Sequence, residues 1–441
     1  KRGLILHCML LLVLGLEQYA SYSKVFLEHL ASALKVPKTV LVDDEIRIAA
    51  GLSEIVESIP AEELNQKRLE ECTKPTRKSR AGNLDRLAAG PTAASSTLAP
   101  CLAKQGIGSM FLGRARIPPS TAAALLGNVN ESTVAVGTIF GLYGGRLGGK
   151  AIDSYARDVQ DFGLLSLRGD TYSELLDPKD VPAQHRRLRM CIAVSGWITG
   201  ATSPFGNSWK AIGDRNESYT LQWEMDAVAK MGLALETVMK SRAWSLARKD
   251  AISKDVFTCL RASLWPASLI KISKVIENPW IVGIVRAEKA GQVLAETLLN
   301  RVQGERGVSL VGFSLGARVI YSCLMSLAEK RAFGLVHDVV LMGSPIPTEI
   351  RVWAAIRSVV TGRVINAYSK EDFILGFLSR GTNWQYGVAG LQSIQGVANV
   401  ENIDLGGLAS NHFRYQCLTS HILQKSGWDD MKPEQIASDK R

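Results

Sequence analysis

Residues 308–318 read Val-Ser-Leu-Val-Gly-Phe-Ser-Leu-Gly-Ala-Arg: an apolar run, then Gly312-x-Ser314-x-Gly316, then an apolar-periodic stretch from Ala317 onward. A G-x-S-x-G set between a strand pattern and a helix pattern is the context that a nucleophile elbow requires. There the chain must reverse sharply from strand to helix, and side chains at the two glycines would collide with the turn. Ser314 is thereby presented at the carboxyl end of a sheet, and the amide of Leu315 points toward an oxyanion formed beside it.

Outward from this stretch, the chain from Asp153 alternates strand and helix patterns in the way that builds a mostly parallel α/β sheet, here of α/β-hydrolase type. Upstream, Met190–Ser195 is a buried-strand pattern ending in Ser195-Gly196-Trp197, Glu217–Trp223 is the next strand, and Met225–Leu246 is strongly helical. The first of these strand ends is expected to supply the second oxyanion donor, the amide of Trp197 or of Ile198. Downstream, Ala317–Arg331 reads as the elbow helix, followed by strands over Asp338–Gly343, Arg363–Tyr368 and Val397–Ile403.

Three reactive groups then follow three strands in the order Ser314, Asp372, His412, which is the hydrolase order. In that arrangement His412 takes the proton of Ser314, and Asp372 holds the imidazole tautomer. Glu371 and Asp404 are alternative acids. His421, in the final helix, is the rival base; His7, His29, His185 and His337 lie in helices or at the wrong ends of strands.

The segment Val256–Val285, with Trp265 and Trp280, is too long and apolar for a simple crossover. It reads as part of a helical insertion over the active site, about 225–290, either a lid that touches lipid or plain core. Before the α/β domain (151–441), residues 1–72 read as an N-terminal helical region, with helices at Val42–Ile55 and Ala61–Cys72. Residues 73–120 read as a low-complexity linker, basic over Lys74–Arg80.

Residues 121–150 form a glycine-rich segment in which Gly137, Gly141, Gly145 and Gly149 recur every four residues, lining one helical face. Such a face packs closely on another helix, in a shallow re-entrant hairpin within lipid or docked on the catalytic domain. The uncharged run there is too short to cross a bilayer of about 30 Å. Leu4–Leu16 is likewise too short to span and lacks a signal-peptide cleavage site, so it reads as buried helix. Lys1 is not an initiator methionine, and the chain reads as a fragment.

With 441 residues, 46% of them hydrophobic, the chain is long enough for a sizeable core. Its seven cysteines are scattered without C-x-x-C, which argues against a disulfide framework or zinc site and for a reducing compartment. No metal cluster or cofactor motif is evident. The formal net charge of +10 is dispersed without a nucleic-acid reader motif, so an anionic membrane surface is the expected partner rather than nucleic acid.

Several longer stretches carry a resemblance. They include Leu12-Val-Leu-Gly-Leu-Glu-Gln-Tyr, Gly141-Leu-Tyr-Gly-Gly-Arg-Leu-Gly-Gly-Lys, Val194-Ser-Gly-Trp, Asn278-Pro-Trp and Val311-Gly-Phe-Ser-Leu-Gly-Ala-Arg-Val-Ile-Tyr. Met342-Gly-Ser-Pro, Tyr368-Ser-Lys-Glu-Asp and Asn411-His412 extend it. In these the chain resembles the transmembrane and coiled-coil domain-containing protein 4 family, α/β-hydrolase-like membrane proteins. The resemblance implies a membrane-associated hydrolase fold with Ser314, Asp372 and His412 at matching positions. One departure is that the long Gly- and Ala-rich hydrophobic region that usually precedes Tyr-Gly-Gly-Arg is here polar and interrupted by Asn128-Val-Asn-Glu-Ser.

Two functions are therefore expected. The first is an intracellular, membrane-associated serine hydrolase, its catalytic domain facing the cytosol, that cleaves an ester of a lipid without a cofactor. The second is a silent hydrolase-like scaffold that recruits protein partners at internal membranes.

Overall fold

The structure, a computed structural model, describes residues 1–57, 117–127, 133–142, 159–168, 181–199, 205–241, 267–380, 387–409 and 411–432, together with Val129 and Glu434. The expected helix Ala61–Cys72, the linker to residue 116, Gly145, Gly149 and Trp265 lie outside them.

Seven strands form one sheet: β1 (Gly163–Ser166), β2 (Met190–Val194), β3 (Glu217–Gln222), β4 (Val308–Phe313), β5 (Val336–Met342), β6 (Val364–Tyr368) and β7 (Val400–Asp404), in the order β1-β3-β2-β4-β5-β6-β7. All neighbours are parallel except β1, which pairs antiparallel with β3 (Leu164 opposite Leu221). Every residue of β2 and β4 is buried, as strands covered on both faces require. The strand order reverses between β2 and β4, so their carboxyl ends flank the crevice where open α/β sheets place ligands.

Helices α6 (Met225–Lys240), α7 (Ala267–Leu299), α8 (Leu315–Glu329) and α9 (Ile350–Val359) pack in succession, each on the next. Two shorter helices complete the site end, α10 (Phe373–Ser379) and α11 (Tyr415–Lys425). Of the expected insertion, residues 225–241 and 267–290 are described. The apolar face of α6 (Val228, Met231, Leu235) joins the main core, and the carboxyl half of α7 (Ala290, Leu294, Leu298) lies in it as an ordinary flanking helix. Trp280, read either as lipid-facing or as core, is core: it is 3% exposed.

A second cluster is built by α1 (Arg2–Leu14), α2 (Ser21–Ala33), α3 (Lys38–Glu57), α4 (Pro119–Leu126) and α5 (Thr133–Ile139), around Leu10, Leu14, Leu27, Ile48, Leu126 and Ile139. The described part of the glycine segment thus packs against the N-terminal helices. Its four-residue periodicity does not continue as helix: α5 stops at Ile139, and Gly141 turns with φ +74°. A Cβ at Gly141 would lie 2.4 Å from the Val302 carbonyl oxygen and 2.6 Å from the Gly304 nitrogen, so this glycine serves a backbone-to-backbone contact in a turn. No helix of the described residues is long and apolar enough to cross a membrane.

The two clusters are joined by Arg306, which is fully buried. Its Nη1 donates to Glu217 Oε2 and to the Arg187 carbonyl, both at 2.7 Å, its Nη2 to Glu217 Oε1 and the Phe140 carbonyl, and its Nε to the Gln303 carbonyl. Every guanidinium donor is taken. Burial opposes ionisation of Glu217, but the charge and hydrogen bonds of Arg306 hold its carboxyl below the usual range.

At the amino ends of the strands lies a polar cavity of about 470 Å³, lined in part by Lys24, Arg189, His337 and Asp338. Burial, and then the neighbouring Arg189 charge, lower the Lys24 ammonium to about 8 from its ordinary 10.5. Between these values the unfolded chain binds more protons than the folded one, so this lysine makes stability rise with pH across that window. Urea denaturation of wild type and Lys24→Met across it should show that increment in the wild type and its loss in the variant.

Candidate active site

At the end of β4, Ser314 adopts φ 52°, ψ −122°, and α8 begins at the next residue. Such a conformation is costly for a residue with a Cβ and persists only where its surroundings enforce it. They do so here through close backbone packing: a Cβ on Gly316 would lie 2.1 Å from the Val194 carbonyl oxygen. Gly316→Ala should therefore destabilise by about 3 kcal/mol or more, since the obstacle is backbone and cannot rotate away; a thermal melt reads this directly.

Ser314 Oγ lies 2.6 Å from His412 Nε2, and His412 Nδ1 lies 2.6 Å from Asp372 Oδ2. All three side chains are fully buried. Asp372 caps α10, its Oδ1 accepting from the Leu375 amide at 3.0 Å, which fixes the carboxylate so that Oδ2 faces the imidazole. His412 opens a short 3₁₀ turn, His412–Arg414, capped by the Asn411 side chain, which accepts from the Arg414 amide. The rivals stand elsewhere. His421 has its Nδ1 beside Ser420 Oγ, Asp404 accepts from the Gly406 amide, and Glu371 is exposed.

The β2 end is held against Ser314: a Cβ built on Gly196 would fall 2.8 Å from both Ser314 Cβ and the Leu315 nitrogen. Three indoles pin this loop. Trp209 Nε1 donates to Ser195 Oγ (2.9 Å), Trp223 Nε1 to the Ser195 carbonyl (3.2 Å) and Trp197 Nε1 to Gln416 Oε1 (3.0 Å). Of the two oxyanion donors expected here, Ile198 is corrected: its amide donates to the Val228 carbonyl at 3.4 Å, because the chain there already turns toward α6. The amide of Leu315, first in its helix, has no helical acceptor.

Sequence reasoning missed the aromatic box around the imidazole. Trp197, Tyr415 and Trp280 stand with ring centroids 5.2, 5.5 and 6.2 Å from that of His412. Tyr415 follows the 3₁₀ turn closely enough to be suspected; Trp280 arrives from α7, 132 residues before His412, with no local signal. Among the described residues no group of His, Cys, Asp and Glu can hold a metal, and Cys8, Cys191 and Cys323 are free thiols.

Residues 87–429 match the model of a family described as protein of unknown function, DUF726. The chain belongs to this family. An uncharacterized membrane protein of Schizosaccharomyces pombe is 30% identical over 99% of the chain and 74% of its own length. The transmembrane and coiled-coil domain-containing protein STS1 of Oryza sativa subsp. japonica is 36% identical over 68% of the chain, which spans 44% of that protein. The probable lipase MIL1 of Saccharomyces cerevisiae is 34% identical over 55% of the chain and 23% of its own length. No solved structure matches the chain.

Proposed function

We propose that this DUF726 protein is a membrane-associated serine hydrolase of the α/β-hydrolase fold that cleaves a carboxylic ester, with a lipid ester as substrate. The observation that carries the reading is the hydrogen-bonded series Ser314–His412–Asp372, assembled from three strand ends. His412 Nε2 removes the Ser314 proton as Oγ bonds to the ester carbonyl carbon, and the resulting oxyanion sits between the Leu315 and Trp197 amides. Collapse breaks the bond to the alcohol, which leaves with the proton from His412. Water, deprotonated by the same imidazole, then releases the acid and restores Ser314. Asp372 keeps the Nδ1 proton in place and stabilises the imidazolium.

The lipid assignment draws support from the apolar and aromatic surroundings of His412 and from the relative named a probable lipase. Relatives named membrane proteins support the membrane assignment, and the free buried thiols Cys191 and Cys323 suit a cytosol-facing domain. No metal or organic cofactor enters this chemistry.

A fluorophosphonate probe tests the reading. Ser314 should be labelled in the wild type and unlabelled in Ser314→Ala; a folded wild type that never reacts would leave the alternative, a silent scaffold recruiting partners at internal membranes. Complete burial of Ser314 is the observation that favours this alternative.

A further inference from the structure

The helix that roofs Ser314 has an outer face that the described residues leave uncovered. On α7 the inward positions are Ile276, Trp280, Gly283 and Ala287; Trp280 meets the His412 ring, and a Cβ on Gly283 would lie 2.6 Å from Leu315 Cδ1. The opposite stripe runs through positions 270, 271, 274, 275, 278, 281, 282, 285 and 289, the spacing of one helical face. On it Ile270, Val275, Ile281, Val282 and Val285 are 56%, 42%, 61%, 42% and 50% exposed. From Ile270 to Val285 this apolar stripe extends about 22 Å at the helical rise.

The charges on the helix are sorted. Its acids are held by partners: Glu277 by Arg380, Glu288 by Arg318 and Glu296 by Lys330. Arg286 is likewise paired, with Glu224 at 3.2 Å. Lys271, Lys274 and Lys289 are exposed on the apolar stripe and make no ion pair among the described residues. A stripe of branched aliphatic side chains interspersed with lysines that the described residues leave unpaired suits a helix lying in a membrane interface. A second copy of the same face would set these lysines against one another, whereas anionic headgroups neutralise them.

We propose that this outer face of α7 docks on an anionic lipid surface, its aliphatic side chains entering the headgroup boundary and its lysines meeting lipid phosphates and carboxylates. The docking rests on exposure and charge alone. Its consequence for catalysis, that the roof of the Ser314 site lies against the source of the ester, rests on the hydrolase reading above.

The test is co-flotation of the whole chain with phosphatidylcholine vesicles, with and without phosphatidylserine, alongside fluorophosphonate labelling in vesicle-free solution. The wild type should float with the anionic vesicles. Ile281→Asp with Val285→Asp should weaken that binding at least about tenfold at every salt concentration. Lys271→Glu with Lys274→Glu should weaken it about tenfold or more at low salt and flatten its salt dependence. Milder replacements, Ile281→Ser with Val285→Ser, guard against misfolding, and all variants should keep the wild-type melting profile and wild-type labelling.

The docking inference is overturned if the wild type ignores anionic vesicles, if the folded variants bind as the wild type does, or if the aspartate pair instead dissolves a dimer seen by sedimentation. Absence of labelling in the wild type would count against the hydrolase reading while leaving the flotation result to stand or fall alone.

Discussion

Ser314→Ala and His412→Ala are each expected to lower kcat/KM for a soluble ester by about 10⁵-fold or more, and the double variant to lower it no further, because in the proposed mechanism nucleophile and base act as one unit. The 2.6 Å contact between Ser314 Oγ and His412 Nε2 carries this expectation. Asp372→Asn should cost about 10⁴-fold through the wrong imidazole tautomer, its amide nitrogen meeting a ring nitrogen that must itself be protonated. Because Asp372 also caps α10, a thermal melt of the asparagine variant separates the lost cap from the lost chemistry; asparagine caps nearly as well as aspartate, so the melt should scarcely move. Independent, additive losses in the double variant would show that Ser314 and His412 do not share a step.

The largest effect on stability is expected at Arg306. Arg306→Met should destabilise by about 3–5 kcal/mol, because it leaves the Glu217 carboxylate buried without its counter-charge. The Arg187 and Phe140 carbonyls lose a donor at the same time. A double variant, Arg306→Met with Glu217→Leu, should recover part of that loss, since the stranded charge and not the missing attraction is most of the cost. The pH dependence gives an independent check. The folded-state pKa of Glu217 is depressed, so in the wild type its contribution is present at neutral pH and lost as pH falls below the usual carboxylate range; with Glu217→Leu that acid-side loss should shrink. Urea midpoints for the four proteins, read at neutral and at acid pH, decide the matter. Equal midpoints for wild type and Arg306→Met would show that the pair bears no stability.

Much of the site end was legible locally. In Gly312-Phe-Ser-Leu-Gly316 the need for two glycines, an all-apolar strand before and a periodic helix after is satisfied within a few residues, so strand, turn and helix are read from neighbours alone. The strand ending at Tyr368 was legible for the same reason; the last strand, mostly exposed, begins at Val400 and not at the expected Val397. Other features answer to distant partners. Strand β1 is four residues at a sheet edge, too short to show a period, and exists because β3 pairs with it. Gly141, spaced as if on a helix, turns instead because residues 302–304 approach its backbone from across the fold.

His412 and His421, or Asp372 and Glu371, offer the same chemistry in sequence; the choice between them is one of direction, made by the caps at Asn411 and Asp372 and by packing around the imidazole. Likewise Trp280 is an aromatic on an apolar helix whichever way it faces, and the Ile198 amide is a donor until the Val228 carbonyl takes it. The sequence by itself determined which chemical groups lie at the strand ends, because turns, strands and helices of this kind are set by side chains near in the chain. The tertiary structure alone decided which of those groups meet, which side of α7 stays in water, and how the N-terminal helices are fastened through Arg306, because those outcomes depend on contacts between residues far apart in sequence.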